Sequence, residues 1–120
     1  MAGREVYQLI EREGKRVVVE SLELATTFST RFWGLQFRKS LTSSEGLWLS
    51  PCSSLHTCWM RFAIDIHMFD KHGGLLGIRR TVKPWRIVFC TRGTSSIMES
   101  TAGAFDLCVG ARYVFETKME

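Results

Sequence analysis

The tightest constraint on how this chain can fold is the run Ile64–Phe69 and what stops it. Ile64, Ile66 and Met68 alternate with Asp65, His67 and Phe69, the period of a β-strand, and Asp70-Lys71-His72-Gly73-Gly74 follows as turn-forming sequence. Leu75–Val82 is the expected hairpin partner. Similar short runs recur along the chain. Residues 5–20 read as a hairpin about Gly14, with the second strand extended to about Ala25 by Leu22 and Leu24. Leu47-Trp48-Leu49, residues 86–90, residues 96–99 and Ala111–Glu116 are further strand segments. Phe28, Phe32 and Leu35 recur at helical spacing after Thr26 or Thr27, which predicts a short helix near 27–38, and Thr101–Cys108 is read as a helical turn. The fold expected is mostly β, of the α+β kind: a small single-domain antiparallel or mixed β-barrel or curled sheet with one or two short helices.

With 120 residues, 45% hydrophobic and 23% charged, the chain has the size and balance of one globular domain, and no repeat or linker divides it. No apolar run is long enough to span a bilayer. The first sixteen residues carry charges throughout and no apolar core of signal-peptide length, so the expected location is cytoplasmic.

The charge is +4 and unevenly spread. No acidic residue lies between Lys71 and Met98, whereas Lys71, Arg79, Arg80, Lys83, Arg86 and Arg92 do, with Trp85 and Phe89 among them. Such a stretch suits a phosphate, a carboxylate or a nucleic-acid backbone, or is a solvated face that keeps the protein soluble. No nucleic-acid-binding motif accompanies it, so a duplex reader is not expected.

Cys52, Cys58, Cys90 and Cys108 form no C-x-x-C pair, which excludes a zinc ribbon and a thioredoxin-like motif. Cys90 and Cys108 read as core or strand-end positions, and Cys52, after Pro51, as a loop position. Reactive side chains are densest in residues 51–70. Cys52, His56 and Met60 stand four apart and are together a soft-metal set, but Pro51 and the serines favour a loop over the helix that would align them. Cys52 as nucleophile, His56 as its base and Asp65 as the orienting acid is a second arrangement. The third is structural: Asp65, in an apolar strand, needs partners, most naturally backbone N–H groups of a neighbouring loop or Arg61 or Arg31.

The residues Arg31, Gly34, Leu35, Arg38, Leu41 and Gly46, then Cys52, His56, Thr57, Met60, Arg61, Ile64, Asp65 and Asp70, and finally Pro84, Arg86, Glu99, Gly103 and Gly110 together resemble the family named domain of unknown function 192. Gln36, Ala63 and Ala111 depart from its pattern, where Met, Pro and Asp are usual. The resemblance covers about residues 25–115, leaving the hairpin at about 5–25 as an N-terminal addition within one domain spanning 1–120. It implies a compact β-barrel-like domain with short helices and no established activity. Many relatives are exported, and one branch has a gene setting like that of pilus-type secretion systems.

The reading preferred from the sequence is a non-enzymatic binding module whose polar pocket is lined by Arg31, Arg38, His56, Met60, Asp65, Arg86 and Glu99. Its expected partner is a small anionic or polyhydroxylated ligand, held by arginine forks, and no metal or cofactor is expected. The alternatives are a cysteine-dependent or metal-assisted hydrolase using Cys52, His56 and Asp65, and an interaction protein of a secretion or pilus-type assembly. The sequence leaves the oligomeric state open.

Overall fold

The computed structural model describes residues 6–25, 42, 44–50, 54–56 and 61–117. They form β1 (Tyr7–Glu11), β2 (Arg16–Ala25), β3 (Glu45–Leu49), β4 (Ser54–His56), β5 (Ile64–Phe69), β6 (Leu75–Val82), β7 (Ile87–Phe89), β8 (Ser96–Thr101) and β9 (Tyr113–Thr117). Seven strands make one sheet in the order β6-β5-β8-β3-β2-β1-β9, and β4 and β7 make a separate two-stranded ribbon. Every pair is antiparallel except β2–β3, where Ser21 faces Glu45 and Ala25 faces Leu49. A parallel pair needs a crossover, and the chain between Ala25 and Glu45 supplies it. The helix expected at 27–38 lies outside the described residues.

The sheet does not close, so of the two forms expected, a barrel or a curled sheet, the structure has the open mixed sheet. The reason lies at its two edges. At one end β6 approaches the start of β9: Leu75 N–H donates to the Ala111 carbonyl, Gly110 N–H to that of Leu75, and Tyr113 N–H to that of Gly73. An isolated bridge joins Gly74 to Arg112. Beyond that corner no ladder joins β6 to β9 among the described residues. Two register shifts between β5 and β6, at Ile64/Ile66 and Met68/Phe69, bend the edge strand, and a bulged edge resists continued pairing.

Both faces of the central strands are buried. On one side lie Leu47, Leu49, Ile64, Ile66, Met68 and Ile97, with Val88 of the ribbon packed on them. On the other lie Leu9, Val19, Leu22, Trp48, Phe69, Leu75, Met98, Leu107 and Tyr113. Phe69 anchors this second side, its ring 4.6 Å from Trp48 and 5.9 Å, edge-on, from Tyr113. The alternation that marks β5 as a strand therefore does not separate inside from outside: all six of its residues are buried, Asp65 and His67 included.

Two turn assignments are refined. In the first hairpin the left-handed residue is Lys15, with φ of 51°, and not Gly14. Thr101–Cys108 forms a turn closed by Ala104 N–H donating to the Thr101 carbonyl and then irregular chain, where a helical turn was expected. The turn after Asp70 stands as read: Asp70 Oδ1 accepts from the backbone N–H groups of His72 and Gly74, an Asx-type closure.

Gly73 sits in this turn at φ +84°, and a Cβ there would overlap the Tyr113 carbonyl oxygen. The replacement Gly73→Ala combines left-handed strain with loss of the corner that joins β6 to β9. It is expected to destabilise the protein by more than about 2 kcal/mol in urea unfolding. A change within a few tenths would show that the corner does not hold the edges together.

Candidate functional site

The Asp65 carboxylate accepts three hydrogen bonds. It is fully buried on β5, opposite the point where β6 slips register. Oδ1 accepts from Thr81 N–H at 2.8 Å, and Oδ2 accepts from Gly103 N–H at 2.8 Å and Arg80 Nη1 at 2.9 Å. Thr81 has φ of 53°, a conformation costly for a β-branched residue, and the carboxylate holds it there. Arg80 extends the network by donating to the Phe105 carbonyl and pairing with Asp106 at 3.5 Å. One carboxylate thus joins β5, the bulge of β6 and the loop between β8 and β9. Burial pushes the carboxyl up, but the Thr81 and Gly103 N–H groups and the Arg80 guanidinium outweigh it and hold the group below its ordinary range. The expectation of backbone donors from a neighbouring loop is met. The arginine is Arg80, whereas Arg61 is exposed and Arg31 lies outside the described residues.

Two residues absent from the sequence-based site share that interior. His67, also on β5, is fully buried, and its Nδ1 lies 3.2 Å from the Met98 carbonyl oxygen. A carbonyl only accepts, so Nδ1 carries the proton of the neutral ring. Its Nε2 and the hydroxyl of buried Ser100 have no hydrogen-bond partner among the described residues. Burial drives the imidazole down to about 4, against the opposing pull of the Met98 carbonyl and of Asp65, with Arg80 adding to the fall. The only sequence signal for this pair was the alternation itself, which reads His67 as outward-facing.

The remaining predicted residues divide between places. Glu99 is buried on β8 opposite Ile66 and Leu47, on the face that carries Ile64 and Ile97. Asp65 is paired with Ser100 and points to the other face, so the sheet separates the two carboxylates. His56 pairs through its backbone with Ile87, and Arg86, exposed, is the next residue, so these two predicted positions meet on the β4–β7 ribbon. That ribbon packs by Val88 on the face away from Asp65. Arg31, Arg38, Cys52 and Met60 lie outside the described residues. Among those described, no three His, Cys, Asp or Glu side chains gather as metal ligands. Cys90 is half-buried after β7 and its thiol is pushed up by burial, with Arg79 opposing. Cys108 is exposed, not a core residue.

The outer face of the ribbon exposes large apolar side chains. Val88 is buried, while Ile87 and Phe89 are 69% and 76% exposed. Trp85, two residues before the strand, is 56% exposed and holds φ of 63°, a strained conformation for so bulky a residue. Arg79, Lys83, Arg86 and Arg92 are exposed in the same stretch, which contains no acidic residue.

An open mixed sheet with a buried carboxylate clasp on one face and an apolar, basic ribbon on the other defines a small, mostly β domain. The chain belongs to the family DUF192, described as "Uncharacterized ACR", whose model matches residues 9–116 and so takes in most of the N-terminal hairpin. A protein of Sinorhizobium meliloti 1021 proposed to be a transcription regulator has a similar structure, with TM-score 0.73 and 20% identity over 96% of this chain and 94% of that one. A protein of unknown function from Novosphingobium aromaticivorans is also similar, with TM-score 0.71 and 18% identity over 92% of this chain and 83% of that one. At such identities the likeness is one of fold. No curated protein matches the chain.

Two outcomes are expected of the buried groups. Asp65→Asn keeps the shape but turns an amide against N–H donors, and should cost on the order of 3–5 kcal/mol in urea unfolding. Arg80→Met, at a half-exposed position, should cost only about 1 kcal/mol. Equal losses would place the clasp's strength in the ion pair and not in the backbone bonds.

For His67 the folded value lies below the unfolded one, so the unfolded chain takes up a proton first as pH falls. Stability should therefore drop between pH 6.5 and about 4, by on the order of 3 kcal/mol, and His67 should add no further loss below that. An NMR titration of the His67 ring with a midpoint near 6.5 would contradict this, as would the same pH 6.5–4 drop in His67→Leu.

Proposed function

We propose that this protein is a non-enzymatic binding module that engages an anionic partner on the outer face of the β4–β7 ribbon. The observation that carries this reading is the exposure of Ile87 and Phe89 within a stretch rich in arginine and lysine and free of acid. Large apolar side chains left in water beside charge are the composition of a contact surface, with an apolar centre and a polar rim. Arg86 belongs to the surface, and His56 stands in register with its neighbour Ile87. Anionic groups would be drawn by Lys83, Arg86 and Arg92 and held against the apolar side chains.

A hydrolytic role for Cys52, His56 and Asp65 draws less support. Asp65 is occupied by three donors and points to the face of the sheet opposite the ribbon that contains His56. A carboxylate so bound is placed to brace β6, not to orient an imidazole on β4.

Heparin-agarose tests the proposed surface without assuming the partner. The full chain should be retained at about 0.15 M salt. The triple variant Lys83→Glu/Arg86→Glu/Arg92→Glu should pass through while still unfolding in one cooperative transition. An equal charge change at the exposed Arg12, Lys15 and Arg112 should leave most of the retention. If both triple variants behave alike, attraction comes from net charge and the surface proposed here is wrong.

A further inference from the structure

Resting on that reading of the ribbon, we infer that its anionic partner is a lipid surface, with Ile87 and Phe89 entering the headgroup layer and the surrounding cations meeting anionic headgroups. Three observations favour this occupant. Ile87 and Phe89 flank a buried residue on one short strand, so their side chains stand about 7 Å apart on the outward face. At 69% and 76% exposure they project into solvent, whereas side chains lining a peptide groove would be walled by their neighbours. Ile87 has no π-face, so a platform for stacked bases is interrupted at its centre.

Trp85 adds the side chain best suited to a membrane interface, apolar in body with one polar N–H. It is held exposed by a left-handed backbone conformation that glycine would adopt without strain. Exposed Arg79, Lys83, Arg86 and Arg92 supply the complementary charge, and residues 71–98 contain no acidic residue. Insertion of a few apolar side chains together with a basic rim is the physics of reversible surface binding. No described helix is long and apolar enough to cross a bilayer.

The test uses the full chain with unilamellar vesicles of phosphatidylcholine alone or with about one-third phosphatidylglycerol, at about 0.15 M salt. Cosedimentation should favour the anionic vesicles by more than tenfold, with a blue shift of tryptophan emission. Ile87→Ser/Phe89→Ser should weaken binding roughly tenfold or more. Each of Lys83→Glu, Arg86→Glu and Arg92→Glu should weaken it about fivefold or more. Trp85→Gly should lose the blue shift while its unfolding midpoint stays level or rises, which separates contact from folding.

The proposal is overturned if anionic vesicles are not bound while heparin is, an outcome that leaves the binding module standing with a different partner. Loss of both heparin and vesicle binding would remove the module as well. Vesicle binding indifferent to Ile87→Ser/Phe89→Ser would also overturn insertion, as would tighter binding to a single-stranded oligonucleotide than to anionic vesicles.

Discussion

A single carboxylate in the wrong place for a strand decides much of this structure. Asp65 occupies a position where packing alone would put an apolar residue, and burying its charge would be prohibitive without donors. Three donors arrive, and each comes from a different requirement of the fold. Thr81 must adopt a left-handed conformation to offer its N–H, which creates the bulge. Gly103, at φ +80°, must bring the loop after β8 against the sheet. Arg80 must lie along that loop to reach the Phe105 carbonyl as well. Edge strand, bulge and loop are therefore fixed by one buried charge, which defines a unique arrangement where an apolar side chain would tolerate several.

His67, two residues along the same strand, is the neutral counterpart. It remains uncharged because burial removes its water, and Nε2 has no hydrogen-bond partner among the described residues. The interior thus carries one group held ionised and one held neutral on adjacent same-face positions of β5. Burial disfavours charge on both: at Asp65 three donors outweigh it, whereas at His67 the Met98 carbonyl and Asp65 do not.

The strand pattern was legible because it depends on local chemistry. Alternation, the Asp70–Gly74 turn and the charged turn near Gly14 place β1, β2, β5 and β6 within a residue or two of the observed ends. Strand order was not legible, since nothing local says that β2 runs parallel to β3 or that β8 lies between β3 and β5. The need of Asp65 for donors could be read from the sequence, but the identity of its arginine could not. Arg61 is nearer in sequence, while Arg80 is brought opposite by the hairpin. The misjudged stretch at Thr101–Cys108 has a comparable cause: Gly103 N–H and the Phe105 carbonyl bond to Asp65 and Arg80 instead of continuing a helical turn. The sequence reading puts Glu99 and Asp65 in the lining of one pocket. Their opposite facing follows from register, a property of strand pairs.

The clasp and the ribbon are linked through the short connection between them. Thr81 and Trp85 are both in the left-handed region, and they bracket Val82, Lys83 and Pro84. At Thr81 the strain is offset by the Asp65 carboxylate. Trp85 follows a proline whose own φ is fixed, in a chain already turned by the bulge, with Arg86 Nη1 closing back on the Pro84 carbonyl at 3.2 Å. A connection so constrained at both ends gives β7 little freedom in where it leaves the sheet. The exposed side chains of the ribbon are thereby presented from a fixed base, so that binding there need not supply the ordering that a free loop would demand. On this account the buried carboxylate serves the surface it never touches: it holds the start of the connection that determines where Trp85, Ile87 and Phe89 stand.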